Sequence, residues 1–155
     1  MIGITLGDPS GIGPEVVERA LRDARIYPIR NQLQVIGDFR QVGRVPRGKV
    51  SAAAGETAYQ NLQRAVLLWR SGKIQALVTA PVSKEAIVKA GHSFKGHTEF
   101  LEKRTKTKQT VMFFAGEKLK VALVTRHLPL KKVDQVLTVS LIEATIRITA
   151  ESLKK

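Results

Sequence analysis

Residues 2–16, IGITLGDPSGIGPEV, decide the class of fold. Apolar residues alternate with small ones as far as Leu6, which predicts a short β-strand. The glycines and prolines of residues 7–14 then require a tight turn, and Pro14 suits the first position of a helix. A strand, a glycine-rich turn and a helix in this order are typical of α/β proteins. The stretch therefore predicts the first strand of a parallel sheet and the helix that follows it.

The glycines of this turn have the spacing G-x-x-x-G-x-G. A helix amino terminus can bind an anion because its first backbone amides have no partner in the helix. The spacing matches neither the dinucleotide-binding fingerprint nor the Walker A loop, which ends in Gly-Lys-Ser/Thr. Two interpretations stay open, a structural turn and a ligand loop. Under the second, Asp8 and Gly11 are candidates to line a cleft.

Strands and helices alternate along the rest of the chain. Strands are predicted at residues 33–36 and 76–79, and helices after Ser51 and Ser83, whose side chains can cap them. Apolar residues recur at helical spacing up to Trp69, which places Trp69 in the core. Residues 39–50 are basic, contain glycine and proline, and predict a loop.

The second half of the chain adds a hairpin and further helices. Residues 111–114 and 119–125 predict two antiparallel strands around a glycine turn. Thr98 is expected to cap a short helix, and the capping box Ser140-x-x-Glu143 is expected to open the last one. The prediction is one α/β domain over residues 1–155. It has three α/β/α layers and a mostly parallel sheet with an antiparallel hairpin.

The composition excludes several classes of protein. The 155 residues suffice for one domain with a core. No apolar run approaches the ~20 residues needed to cross a bilayer. No basic region precedes an apolar core at the amino terminus, so no signal peptide is predicted and the cytoplasm is the expected location. The chain has no cysteine, which excludes disulfides and thiolate metal ligands.

The formal net charge of +13 is unusual and suggests attraction to polyanions. The basic residues are scattered, however, and the densest group, residues 103–108, has the composition of a helix end and loop. Aromatic residues make up only 5%, which is poor for stacking on single-stranded nucleic acid. A solvated basic surface is therefore favoured, nucleic-acid binding is disfavoured, and polyanion binding is kept as an alternative.

Two of the three histidines follow predicted elements: His97 in GHTE, and His127 in HLPL thirty positions later. Loops at strand ends are where α/β proteins place their chemistry, and a neutral imidazole can bind a metal or a substrate. The hypothesis is that both face one cleft, His97 to hydrogen-bond a substrate and His127 to ligate a metal. A catalytic zinc needs about three protein ligands. Only His92 remains as another imidazole, so composition alone does not complete a site.

Four segments in this order resemble the 4-hydroxythreonine-4-phosphate dehydrogenase (PdxA) family, in its N-terminal half. They are IGITLGDPSGIGPEV at 2–16, LVTAPVSKEAI at 77–87, AGHSFKGHTEFL at 90–101 and MFFAGEKLKVALVTRHLPL at 112–130. The resemblance covers nearly the whole chain, and the region around residues 39–50 looks shortened.

The resemblance implies a fold like that of isocitrate and isopropylmalate dehydrogenases, and a homodimer. It implies oxidation of the secondary alcohol of 4-phosphohydroxy-L-threonine by NAD with a divalent metal, which could be Zn, Mg or Co. Decarboxylation follows, on the route to pyridoxal phosphate. His97 and Thr98 match the substrate-binding pair and His127 a metal ligand, whereas no residue is assigned to the cofactor. Lys84, Glu99 and Arg126 join the candidates for the cleft wall.

The chain also departs from the family. Members are about twice as long, and their second half supplies two further metal histidines, the phosphate grip and much of the NAD site. Arg126 stands where a small or hydroxylated residue is usual. The chain is thus expected to be the N-terminal part of such an enzyme, without the C-terminal part and incomplete alone. The alternatives are a non-catalytic PdxA-like remnant or assembly module, and a basic polyanion-binding protein.

Overall fold

The computed structural model describes residues 1–154, which fall into two compact units. The first unit comprises residues 1–106 and the second begins at Thr107. The parallel sheet of the first unit and the antiparallel pair of the second confirm the predicted α/β class. The assignment of residues 1–155 to one domain stays a prediction. Among the described residues, no helix has the length and apolar character needed to cross a membrane.

The first unit follows the predicted alternation of strands and helices. Its elements are β1 (Ile2–Thr5), α1 (Gly13–Arg22), β2 (Leu33–Ile36), α2 (Ala52–Arg70), β3 (Ala76–Thr79), α3 (Lys84–Lys89) and α4 (His97–Thr105). Short 3-10 segments that the sequence did not predict occupy Ala24–Gln32 and Phe39–Gln41. The second of these lies in the predicted loop of residues 39–50, most of which has no regular structure.

The sheet of the first unit is parallel, with the strand order β2-β1-β3. Leu6, Val17 and Ala80 pack together on the face that α1 covers, with Ile4 of β1 against them. On the other face, Ile36 and the α2 residue Ala65 pack with Ile74. The first unit therefore has the three predicted layers, with α1 and α2 on opposite faces of the sheet.

The largest apolar cluster lies where α2, α3 and α4 meet. Leu62 and Ile87 are fully buried there, and the rings of Phe94 and Phe100 close the cluster. Full burial of a side chain of this size contributes roughly 1.5–3 kcal/mol. The cluster therefore fixes the starts of α3 and α4 against the middle of α2.

Two predictions for this unit are confirmed and two are wrong. The Ser51 hydroxyl accepts from the Ala54 amide at 3.2 Å, and the Ser83 hydroxyl accepts from the Ala86 amide at 3.1 Å, so both serines cap as predicted. Trp69 is 45% exposed rather than in the core, because it lies in the last turn of α2. Thr98 is not the cap of α4, because extended backbone at Gly96 lets the helix begin at His97, two residues earlier than a Thr98 cap would allow.

The second unit contains the predicted hairpin. Its elements are β4 (Met112–Ala115), β5 (Lys120–Leu123), α5 (Val133–Val136) and α6 (Val139–Leu153), with a 3-10 segment at Leu130–Lys132. The strands are antiparallel, and Met112 lies opposite Leu123. The predicted capping box at Ser140 is wrong. The cap is Thr138, whose hydroxyl accepts from the Leu141 amide at 3.2 Å and places Ser140 inside the first turn.

Candidate functional site

The glycine-rich turn packs tightly against the segment that joins β3 to α3. The Asp8 amide donates to the Pro81 carbonyl at 3.0 Å, and a Cβ on Gly7 would lie 2.2 Å from the same oxygen. The Asp8 carboxylate accepts from the amide and the hydroxyl of Ser10 at 2.8 and 2.7 Å. Asp8 is only 4% exposed, so its side chain holds the turn together, whereas Gly11 is exposed. These contacts favour the structural interpretation of the turn.

Four predicted site residues lie where α3 and α4 begin. Lys84 is the first residue of α3, and His97 is the first residue of α4. A Cβ placed on Gly96 would lie 2.7 Å from a carboxylate oxygen of Glu99 and 3.8 Å from the Lys84 ammonium. An ammonium and a carboxylate therefore flank the backbone that leads into His97. Thr98, half-buried, is in the first turn of the same helix.

The His97 ring is partly buried. It meets the Phe94 ring edge to face, with centroids 5.9 Å apart and an interplanar angle of 85°. Its Nε2 is buried, and no residue in the described part of the chain hydrogen-bonds to it. Burial lowers the pKa of His97, and the Lys84 charge lowers it further. The imidazole is therefore neutral at pH 7 and has one ring nitrogen that a ligand can satisfy.

Replacing Lys84 with methionine is expected to raise the pKa of His97, because it removes a nearby positive charge. The pKa should stay below the ordinary value of about 6.5, since burial is the larger cause and remains. NMR titration of the histidine rings measures this, with His97→Gln to assign the resonance. Lys89→Met is the matched control, because Lys89 pairs with Glu85 at 3.0 Å. An unchanged His97 titration in Lys84→Met would contradict the electrostatic coupling.

His92 has a different role from His97 although the two lie close in sequence. Its Nε2 is 2.5 Å from a Glu56 carboxylate oxygen, and its ring stacks on Tyr59 with centroids 3.8 Å apart. The Tyr59 hydroxyl also accepts from Arg104 at 2.7 Å. His92 thus ties the loop before α4 to α2. No pattern in the sequence indicated this contact, because Glu56 and His92 are 36 positions apart.

Two further predicted site residues belong to the second unit. His127 follows β5, is exposed, and has a left-handed backbone with φ of 55°. Arg126 beside it is half-buried. Among residues 1–154, no three His, Cys, Asp or Glu side chains are placed so that they could hold a metal ion. The described residues do not form a metal site by themselves, and the shared cleft of His97 and His127 stays a prediction.

Comparison with known proteins decides the family. The family described as "Pyridoxal phosphate biosynthetic protein PdxA" matches residues 13–155, which is most of the chain. The chain belongs to the PdxA family. The resemblance read from the four sequence segments is thereby confirmed.

Individual PdxA relatives agree with this result. The chain is 35% identical over 193 positions to 4-hydroxythreonine-4-phosphate dehydrogenase of Desulforapulum autotrophicum, with 99% of the chain and 56% of the relative covered. It is 34% identical over 193 positions to D-threonate 4-phosphate dehydrogenase of Cupriavidus necator, with 100% of the chain and 58% of the relative covered. A crystal structure of a Burkholderia phymatum 4-hydroxythreonine-4-phosphate dehydrogenase superposes with a TM-score of 0.90 at 32% identity. That match covers 99% of the chain and 58% of the Burkholderia chain.

Two facts about length accompany these matches. The chain spans a little over half the length of the curated PdxA relatives that it matches. The alignments also run over 193 positions, 38 more than the chain has residues, so they include positions that this chain lacks. Such gaps agree with a shortened segment, and its location around residues 39–50 stays a prediction.

Proposed function

We propose that this chain forms the N-terminal, substrate-binding part of a PdxA-type dehydrogenase. The observation that carries the proposal is the family match over residues 13–155. The buried, unsatisfied Nε2 of His97 at the start of α4 supports it, because such a nitrogen calls for a polar ligand.

The proposed substrate class follows from what the relatives are named for. Some act on 4-hydroxythreonine 4-phosphate and others on D-threonate 4-phosphate. Both compounds carry a phosphate at carbon 4 and a secondary alcohol at carbon 3, and they differ in an amino or hydroxyl group at carbon 2. The substrate is therefore a 4-phosphorylated 3-hydroxy acid, and the reaction is oxidation of its secondary alcohol.

The residues at the start of α4 fit the binding of such a molecule. A neutral His97 ring can donate or accept a hydrogen bond to a hydroxyl group without introducing a second charge. Thr98 adds a hydroxyl, and the Lys84 ammonium beside Gly96 favours a negatively charged group nearby. Together they would orient the substrate and neutralise part of its charge.

The proposed reaction uses NAD as hydride acceptor and a divalent cation, with decarboxylation after the oxidation. The nicotinamide supplies the hydride chemistry, and the protein supplies position and electrostatics. His127 would contribute one ligand to the cation. The other ligands would come from elsewhere in the enzyme, because the described residues contain no group of three possible ligands. A homodimer is part of the same proposal.

A hybrid enzyme tests the proposed function. In the hybrid, this chain replaces the equivalent N-terminal portion of the Cupriavidus necator D-threonate 4-phosphate dehydrogenase, which supplies the part beyond the match. We expect NADH formation with 4-phosphohydroxy-L-threonine or D-threonate 4-phosphate, abolished by EDTA and restored by a divalent cation. The unphosphorylated hydroxy acids are the control substrates. A folded hybrid that oxidises neither phosphorylated compound would refute the proposal and favour a non-catalytic PdxA relative.

A further inference from the structure

The carboxyl ends of α2 and α4 bring two basic segments of the chain together. A guanidinium nitrogen of Arg70, in the last turn of α2, donates to the Arg104 carbonyl in the last turn of α4 at 2.5 Å. The Arg104 guanidinium donates in turn to the Tyr59 hydroxyl of α2 at 2.7 Å. Arg70 and Arg104 are 34 positions apart in the chain. Basic residues that are scattered in the sequence are therefore collected at one surface by the fold.

We call this surface the basic patch. Its cationic residues are Arg70, Lys73, Lys103, Arg104 and Lys106. No residue from 64 to 73 is acidic, and Glu102 is the one acidic residue from 100 to 106. The three lysines are exposed, and no described residue forms a hydrogen bond or ion pair with their ammonium groups. The arginines hold the two helix ends together, and the lysines are left to contact a partner from outside.

An exposed tryptophan belongs to the same surface. Trp69 is 45% exposed, although it lies in the last turn of α2 directly before Arg70. It lines a shallow cleft of about 190 Å³, to which α4 contributes Leu101 and Thr105. Arg104 is the residue before Thr105, so cationic residues flank the indole from both helices. Proteins that bind single-stranded nucleic acid combine these two features, an aromatic face for a base and positive charges for the backbone.

We propose that the basic patch binds single-stranded nucleic acid, with a base stacked on Trp69 and phosphates at Lys73, Lys103 and Lys106. The net charge of +13 attracts any polyanion, and the exposed indole selects one that carries planar bases. An anionic membrane fits less well, because the large exposed apolar residues of α2 are Leu67 and Trp69 alone, and the apolar face of this helix is buried in the core. The proposal is independent of the proposed dehydrogenase function.

The salt dependence of binding tests the role of the lysines. The probe is a fluorescein-labelled oligo(dT) of about 12 nucleotides, and anisotropy gives its affinity for the 155-residue chain. Three phosphate contacts predict a log–log slope against salt of about −2, since each contact on a single strand contributes about 0.7. The double variant Lys73→Gln/Lys103→Gln should make this slope shallower by about 1.4.

A matched control removes the same charge at the amino ends of the same two helices. Lys49 precedes Ser51, the N-cap of α2, and Lys95 precedes Gly96, the N-cap of α4; both lysines are exposed. The double variant Lys49→Gln/Lys95→Gln should keep the slope of the unaltered chain. Equal changes of slope in both double variants would overturn the proposal, because binding would then follow net charge and not the basic patch.

The stacking contact has its own readout, because Trp69 is the single tryptophan. Oligo(dT) should quench its fluorescence, and Trp69→Ala should weaken binding by about 5- to 150-fold without a change of slope. Trp69→Phe keeps an aromatic face and should retain most of the affinity. Circular dichroism checks that both variants fold.

Two further probes separate nucleic acid from other anions. Inorganic polyphosphate has charge but no bases, so Trp69→Ala and the unaltered chain should bind it equally. Equal affinity of these two proteins for oligo(dT) would overturn the proposal. Binding to phosphatidylserine vesicles without binding to oligo(dT) would also overturn it, and would assign the basic patch to a membrane surface.

Discussion

Replacing Gly55 with alanine is expected to destabilise the first unit by about 3 kcal/mol, at the upper end of what overpacking costs. Gly55 lies in the second turn of α2, where α3 crosses closely. A Cβ there would lie 1.9 Å from the Ala86 carbonyl oxygen and 2.6 Å from the Ile87 amide nitrogen. Both atoms belong to the backbone of α3, so no side-chain rotation relieves the clash and α3 must move. Ile87 is fully buried in the largest apolar cluster, which would open.

The expected loss of stability has the opposite sign to the change that helix propensity predicts. Within a helix, alanine is intrinsically more favourable than glycine by about 1 kcal/mol, so helix propensity alone predicts stabilisation. Chemical denaturation followed by the fluorescence of Trp69, the single tryptophan, reports on the helix concerned. Gly11→Ala is the control, because its Cβ would meet nothing closer than 3.6 Å. It should change the free energy of unfolding by less than about 0.5 kcal/mol. An equally or more stable Gly55→Ala protein would show that α2 and α3 are not in this contact.

Replacing His97 with alanine in the hybrid enzyme is expected to lower kcat/KM by about 5- to 150-fold. The range corresponds to the roughly 1–3 kcal/mol that a buried polar group costs when its hydrogen-bond partner is removed, at about 1.4 kcal/mol for each tenfold change. The ring that contacts Phe94 and leaves Nε2 unsatisfied would be lost, and with it the proposed contact to substrate. Steady-state kinetics with the phosphorylated substrate measure the effect.

His92→Gln is the matched control for this prediction. His92 contacts Glu56 and Tyr59, so its replacement should lower stability while kcat/KM changes less than about threefold. Equal losses of kcat/KM in both variants would mean that His97 acts only through the loop it shares with His92.

The pH dependence of kcat/KM gives a second readout for His97. The pKa of His97 is lowered by burial and by Lys84, so the ring stays neutral until the pH falls below about 6.5. Activity that needs the neutral ring is then full above this value and is lost as the pH falls through the lowered pKa. The acid limb should therefore disappear in His97→Ala. An acid limb that is unchanged in this variant must belong to another group.

The sequence predicted those features that depend on local chemistry. The alternation of strands and helices in the first unit, the hairpin and the serine caps of α2 and α3 are all confirmed. Each follows from residues within a few positions of one another. The two wrong caps show the limit of this reasoning. Thr98 and Ser140 are residue types that cap helices well, but residue type alone did not locate the helix starts. In the structure, Gly96 with its extended backbone is the N-cap of α4, and Thr138 is the N-cap of α6. Both helices therefore begin earlier than predicted.

Some features of the candidate site could likewise be predicted from local sequence, and others could not. His97, Thr98, Glu99 and Lys84 could be named from short motifs, because they lie in the sequence segments that resemble the PdxA family. The burial of the His97 ring and its lowered pKa could not be predicted, since they depend on how Phe94 packs and on where α3 places Lys84. Nor could the contact of His92 with Glu56 on α2, which joins residues far apart in the chain.

By itself, the sequence determined the fold class, the family and the residues at the start of α4, because turn chemistry, periodicity and motifs are local properties. Only the tertiary structure decided that Asp8 is buried against Ser10, that Trp69 is exposed, and that Val78 faces an open groove. These outcomes depend on which surfaces meet. The identity of an apolar residue does not show which other residues will cover it. Its burial is decided by packing between elements that are distant in the sequence.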